Sequence, residues 1–164
     1  TLDRATGTEP AIIVLFDGDC GFCRSWVRFA IAHDPNARLR FAPLDGEVGR
    51  RIAEQHGYAA PTGRAYRSIL VIDRDRLLDR SDAVLAITGV LVHPRPLSSA
   101  MLRGLRGVAR MLPRPIRDWL YDRVAAARHR IARRDSCPLT EESMDRGMRE
   151  RFLDGCRHLA ESTR

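Results

Sequence analysis

The stretch AIIVLFDGDCGFC, residues 11–23, joins a predicted strand to a predicted helix and carries two cysteines at the junction. Its first six residues are apolar and rich in β-branched types, which is typical of a strand covered on both faces. From Phe22 onward, apolar side chains recur at spacings of three and four, which predicts a helix that begins near Asp19 and ends before Asp34. The cysteines therefore lie where a central strand ends and a helix begins.

The following segments predict a regular order of short elements. Strands are predicted at 38–44, 68–73 and 77–80, and helices at 46–56 and 82–92. Gly57 suits the end of the second helix, and Ser81 is expected to cap the third. The predicted fold class is α/β with the order β-α-β-α-β-β-α over residues 11–92.

The C-terminal half reads as helical. Helices are predicted at 98–112, 115–133 and, more weakly, at 140–160. Trp119, Leu120 and Val124 share one side of the second of these helices, and we expect them to pack in the core. Three parts are expected along the chain: a polar lead-in at 1–10, an α/β domain at 11–92 and a helical extension at 93–164 packed on that domain.

The net charge of +7 comes from arginine alone, because the chain contains no lysine. This excludes every mechanism that needs a lysine. The arginines are spread along the chain without interleaved aromatic residues, so we expect a solvated surface and no nucleic-acid partner. The first ten residues do not resemble a secretory signal, and no apolar run is long enough to span a membrane. We therefore expect a cytoplasmic protein, where a Cys-x-x-Cys pair is usually catalytic or metal-binding.

The spacing of Cys20 and Cys23 points to thiol chemistry. Residues three apart at a helix start lie one turn apart on one face, close enough to join in a disulfide. The positive end of a helix favours a thiolate. Cys20, nearer the helix end, is expected to be the more exposed sulfur and the nucleophile, and Cys23 the resolving thiol. Gly21 leaves the approach open, and Phe22 begins the apolar side of the helix.

Asp17 and Asp19 flank this pair and oppose the effect of the helix end, because like charge disfavours a thiolate. Aspartate is a favoured N-cap, so Asp19 is predicted to cap the helix. Asp17 stands at the end of the strand. It is either a proton acceptor for Cys23 or a hydrogen-bond partner of the loop backbone, and the residues leave both roles open.

Several separated segments carry a family resemblance: FDGDCGFCRSWVRFAIAHDP, RLRFAPLD, SILVID, RSDAVLAI, MLPRPIRDWLYDRVA and RRDSCPL. From about residue 11 to residue 140 the chain resembles the DCC family of predicted thiol-disulfide oxidoreductases, named for an Asp-Cys-x-x-Cys motif. The resemblance implies a thioredoxin-like fold and protein-disulfide reductase activity. It places the name motif at Asp19, Cys20 and Cys23, and its usual approach at Asp17 and Gly18.

One feature departs from thioredoxin relatives. Those proteins place a cis-proline before the strand that faces the Cys-x-x-Cys pair, where it shapes the substrate groove. This chain has Arg67 and Ser68 before ILVI, and its nearest upstream proline is Pro61. The family that the chain resembles shares this lack, so we expect substrate docking to differ from that of thioredoxin.

Two other site types compete for the same residues. A zinc site could combine Cys20 and Cys23 with a second group of ligands, drawn from Cys137, Cys156, His129 and His158. Structural zinc sites usually pair two short knuckles, and only one is present, so we expect no metal. The spacing of Asp17 and Asp19 also resembles the catalytic loop of haloacid-dehalogenase-type phosphatases. That chemistry needs magnesium and a cationic side chain, and it gives the cysteines no role.

The remaining alternative is an interaction module without redox turnover. The arginine-rich helices at 98–133 could lie on anionic lipid or an acidic protein, although we expect membrane contact to be the lesser role. Cys137, in DSCPLT, is either a third redox thiol or a small buried apolar group. The glycine patterns of nucleotide sites are missing, so we expect no cofactor beyond the Cys20–Cys23 disulfide. The expected partners are a protein or small-molecule disulfide and an electron donor.

Overall fold

The computed structural model describes residues 11–18, 20–58, 69–91, 96–131 and 146–153. Its elements are β1 (Ile12–Phe16), α1 (Gly21–Ala32), β2 (Leu39–Pro43), α2 (Glu47–Gln55), β3 (Leu70–Asp73), β4 (Arg76–Asp79), α3 (Arg80–Thr88), α4 (Pro96–Met111), α5 (Arg114–Ile131) and α6 (Arg146–Arg149). Up to α3 this is the predicted order. The predicted lead-in at 1–10 lies outside the described residues.

The strands form one mixed sheet in the order β2-β1-β3-β4. β1 runs parallel to β2, and Phe16 pairs with Pro43 where both strands end. β3 is antiparallel to β1 and forms a hairpin with β4. The prediction that AIIVLF is a central strand is confirmed, because β1 lies between β2 and β3. This topology, with its helices on both faces, is that of the thioredoxin-like fold.

The two faces of the sheet are buried under different helices. Alternate residues of β1, including Val14 and Phe16, pack with α1 and α3 residues on one face. Leu15 points to the other face and packs with Leu70 of β3 and Ala53 of α2. Since both faces are covered, the continuous apolar composition of β1 follows from its position.

The helix ends agree with the sequence in one place and differ in another. Helix α2 ends before Gly57, whose positive φ of 78° suits a residue without a Cβ, as predicted. The prediction that Ser81 caps α3 is wrong. The chain passes directly from β4 into the helix, so Asp79 occupies the cap position in extended conformation and Ser81 lies in the first turn.

Helices α4 and α5 contact the rest of the fold through α3, and α5 also contacts α1. The prediction that Trp119, Leu120 and Val124 pack in the core is wrong. Trp119 is 56% exposed, and Leu120 and Val124 are similarly exposed. Helical spacing places these residues on one side of α5 without providing an element that covers them. No helix in the described ranges is both long and apolar enough to cross a membrane.

The segment at 146–153 joins the edge of the sheet at β2. Phe152 forms a bridge with Phe41, and the Phe41 amide donates to the Arg151 carbonyl at 2.8 Å. The Arg151 guanidinium forms a 2.7 Å ion pair with the buried Asp34 carboxylate. The prediction of one helix through 140–160 is wrong in this segment, because α6 is a single turn and the chain then extends along the sheet edge. The remainder of that range lies outside the described residues.

Candidate active site at the start of helix α1

The cysteines are positioned by the transition from β1 to α1. Cys20 is the N-cap of α1 with extended backbone angles, and its Sγ accepts a hydrogen bond from the Cys23 N–H at 3.3 Å. The prediction that Asp19 caps this helix is therefore wrong, and Asp19 itself lies outside the described residues. A sulfur in the cap position replaces the usual side-chain oxygen and satisfies one of the unpaired amides of the first turn.

The exposure of the two cysteines is the reverse of what we expected. Cys20 is only 5% exposed, whereas Cys23 is half-buried. The prediction that Cys20 is the more accessible cysteine is therefore wrong. The reason is the cap geometry, which directs the Cys20 sulfur back toward the amide of Cys23. Gly21, the first residue of α1, is also buried.

The loop before Cys20 is held from two directions. The Gly18 N–H donates to Asp45 Oδ1 at 3.1 Å, and Arg24 Nε donates to the Gly18 carbonyl at 2.5 Å. A Cβ at Gly18 would come within 2.5 Å of the Asp45 carboxylate, so a larger residue there would displace that side chain. The Cys20 amide also donates to the Asp17 carbonyl at 3.3 Å. These contacts fix the approach to the cysteine pair.

A cavity of about 410 Å³ lies beside Cys23. Its lining is mostly apolar and includes Phe16, Phe22 and Trp26. Asp17, which is buried, and Cys23 also line it. The structure thus brings Asp17, Phe22 and Cys23 together at one surface, as members of the predicted site. Cys20 does not contribute to this lining.

Helix α5 closes the opposite wall of this cavity. The Ile69 amide donates to the Tyr121 hydroxyl at 3.0 Å, and Ser81 Oγ donates to Asp118 Oδ1 at 2.6 Å. The Ser81 hydroxyl, with help from the Ser81 amide and nearby arginines, holds the pKa of Asp118 below its ordinary value. These two contacts attach α5 to the α/β domain beside the cysteines.

Asp45 and Tyr121 are site residues that the sequence interpretation missed. Asp45 had a usable signal, because it follows β2, and the ends of parallel strands meet at the same edge of a sheet. Tyr121 had none. It lies 52 positions beyond its partner Ile69, and only the packing of α5 brings them together.

Other predicted site residues are not placed. Cys137 and Cys156 lie outside the described residues. Arg67 and Ser68, which stand where thioredoxin relatives have the cis-proline, also lie outside them. Among the described residues, no group of three or more histidine, cysteine and acidic side chains could hold a metal ion. The described backbone contains no cis peptide bond.

Comparison with known proteins identifies a family. The family model described as DCC1-like thiol-disulfide oxidoreductase matches residues 14–134. An Arabidopsis thaliana protein named "DCC family protein At1g52590, chloroplastic" is 34% identical over 128 residues, which cover 77% of this chain and 69% of that protein. The Bacillus subtilis protein named "Uncharacterized protein YuxK" is 28% identical over 151 residues, or 88% of this chain and 95% of its own. No solved structure matches.

Proposed function

Because the chain belongs to the DCC1-like thiol-disulfide oxidoreductase family, we propose that Cys20 and Cys23 cycle between dithiol and disulfide to catalyse thiol-disulfide exchange of the protein-disulfide reductase type. The observation that carries the proposal is the hydrogen bond from the Cys23 amide to Cys20 Sγ. A donor at a helix N-terminus stabilises the thiolate, which is the nucleophilic form of cysteine.

In the proposed cycle Cys20 attacks a sulfur of the partner disulfide. A bond forms between Cys20 and that sulfur, and the second partner sulfur leaves as a thiolate. Cys23 then attacks Cys20 Sγ, which releases the reduced partner and leaves the Cys20–Cys23 disulfide. Cys20 and Cys23 lie within one helical turn, as this step requires.

Asp17 is proposed as the proton acceptor for Cys23 in the second step. Both residues line the cavity at the end of β1, and Asp17 is buried there. A buried carboxylate near a thiol can take its proton without competition from bulk water. The hydrogen bonds around Gly18 are proposed to keep the loop in place while the sulfurs exchange partners.

Single-cysteine variants test this assignment with a model protein disulfide such as insulin. Cys20→Ser should reduce turnover to the uncatalysed rate, because it removes the nucleophile. Cys23→Ser should also lose turnover but retain a mixed disulfide between Cys20 and the partner, detected by mass spectrometry without reductant. Wild-type turnover by both variants would show that the mechanism is wrong.

Cys137→Ser serves as the matched control, because it removes a thiol outside the Cys-x-x-Cys pair. Turnover should be retained if the pair is sufficient. A loss equal to that of Cys20→Ser would instead make Cys137 part of the exchange. The expected partner disulfide, the electron donor and the cytoplasmic location stay predictions, as does the lesser alternative of an interaction module built on α4 and α5.

A further inference from the structure

We propose that the cavity beside Cys23 binds the electron donor of the cycle, and that this donor is a neutral, largely apolar dithiol of the lipoyl class. The inference rests on the proposed function, because it supplies the electrons that return the Cys20–Cys23 disulfide to its dithiol form. It adds a ligand site and a chemical class to that cycle.

The size and lining of the cavity define what can occupy it. Its volume of about 410 Å³ falls within the range of roughly 300–1,000 Å³ that is typical of small-molecule sites. Aromatic side chains at Phe16, Phe22 and Trp26 form part of a mostly apolar wall. Such a wall disfavours charged thiols such as glutathione, because burying a charge without a partner is costly. A short alkyl chain that carries two thiols can pack against the same apolar lining without burying a charge.

The charged residues of the lining favour a neutral ligand. Arg117 lines the cavity, and its Nη1 is already paired with Asp82 at 2.9 Å. Asp17, the other charged residue of the lining, is buried. A charged ligand would therefore bury its charge against a mostly apolar surface, which is costly. The amide that ends a lipoyl chain adds no charge.

The position of the two sulfurs determines where the donor attacks. Cys23 lines the cavity and Cys20 does not. A donor thiolate in the cavity therefore attacks Cys23 Sγ. A donor–Cys23 bond forms while the Cys20–Cys23 bond breaks, and Cys20 leaves as a thiolate that accepts the Cys23 N–H hydrogen bond. The leaving group is thus the sulfur that the helix end stabilises.

The second step completes the transfer within the cavity. The remaining donor thiolate attacks the donor sulfur bonded to Cys23, which closes the dithiolane ring and expels Cys23 as a thiolate. Two electrons pass from the donor to the cysteine pair. The two protons released by the donor thiols rebind to Cys20 and Cys23. No further oxidant or reductant is required.

The redox test compares two neutral dithiols acting on the oxidised protein. Dihydrolipoamide should reduce the Cys20–Cys23 disulfide with saturable kinetics and about tenfold faster than dithiothreitol at equal concentration, because only the former fills the apolar cavity. Quenching with an alkylating agent and mass spectrometry measures both rates. Equal rates, or a dihydrolipoamide rate that does not saturate, would overturn the proposal.

A matched pair of neighbouring substitutions locates the effect. Ala125 lines the cavity, whereas Ala126 is exposed and does not. Ala125→Phe should lower the preference for dihydrolipoamide about tenfold, because the larger side chain occupies the cavity. Ala126→Phe should retain the preference. Circular dichroism and thermal melts establish that both variants fold, and an unchanged preference in folded Ala125→Phe would contradict the assignment.

A binding measurement separates this inference from the proposed function. In a Cys20→Ser, Cys23→Ser protein that also carries Trp119→Phe, Trp26 is the remaining tryptophan. Oxidised lipoamide should quench its fluorescence saturably, and addition of Ala125→Phe should weaken the apparent affinity about tenfold. If exchange with protein disulfides fails but quenching persists, the ligand site stands and the proposed function falls. If exchange works without quenching, the ligand site alone is overturned.

Discussion

The α/β domain at 11–91 and the helices α4 and α5 both carry regularly spaced apolar residues, but they bury these residues to different extents. In the domain, most apolar residues at regular spacing are buried against a neighbouring element on either face of the sheet, with Phe29 and Val84 as exposed exceptions. In α4 and α5, equally regular stripes leave several large apolar residues exposed, namely Met101, Leu105, Val108, Met111, Ile116, Trp119, Leu120 and Val124. Periodicity determines which residues share a face, but burial depends on what packs against that face.

The cavity lies at the boundary between these two regions. Its domain side is built from buried residues such as Phe16, and its other side includes the half-exposed Leu120 and Val124 of α5. The domain side of the cavity is therefore more tightly packed than the α5 side. Such a boundary is a usual place for a small-molecule site, because rigid positioning and access are both needed.

A pair of leucines tests the contrast between the two regions. Leu70 of β3 is fully buried, whereas Leu105 of α4 is 63% exposed. Leu70→Ala should lower the free energy of unfolding by about 3 kcal/mol, from lost burial and the cavity left behind. Leu105→Ala should change it by less than about 0.5 kcal/mol. Urea unfolding measures both, and similar costs for the two variants would show that α4 is as well packed as the sheet.

The sequence predicted the sheet well because its signals are local. The apolar run of β1 and the β3–β4 hairpin can each be recognised from a few consecutive residues, and Gly57 marks the end of α2. The motif at Cys20 and Cys23 could likewise be placed correctly at a helix start.

The parts that could not be predicted depend on contacts distant in sequence. Ser81 is a good cap by type, but α3 begins one residue earlier, and the Ser81 hydroxyl in its first turn donates to Asp118 on α5. The loop before Cys20 is held by Asp45, whose carboxylate accepts the amide of Gly18 across 27 positions of the chain. Neither effect is encoded in the spacing of neighbouring residues.

The segment at 146–153 offers a second, smaller test, because it reinforces the domain side of the contrast. Arg151 pairs with the buried Asp34, which also accepts the Leu39 amide at 2.8 Å. Arg151→Ala should cost about 1–3 kcal/mol, since it removes a charged partner from a buried carboxylate. The surface pair of Arg51 with Glu47 is the control, and Arg51→Ala should cost less than about 1 kcal/mol. Thermal or urea melts measure both losses of stability. If Arg151→Ala costs as little as Arg51→Ala, the segment does not stabilise β2.

The smallest expected effect concerns the link between the two regions, formed by Ser81 and Asp118. The pKa of Asp118 lies below its ordinary value of 3.8, chiefly because of the Ser81 hydroxyl. A lowered pKa means that the folded state favours the charged carboxylate. The resulting stability is therefore fully present above the ordinary value and is lost as the pH falls through the lower folded-state value.

Ser81→Ala should accordingly cost about 1 kcal/mol at neutral pH, and the cost should shrink as the solution is acidified below the ordinary carboxyl pKa. Urea unfolding of both proteins along a pH series gives the difference directly. Thr88→Ala is the control, because the Thr88 hydroxyl donates to carbonyls of its own helix and its loss should be independent of pH. A Ser81→Ala cost that stays constant on acidification would mean that the hydroxyl supports α3 alone. In that case α5 would be held against the cavity by apolar packing, by Tyr121 and by the ion pairs of Arg114 and Arg117 with Asp79 and Asp82, without a contribution from Asp118.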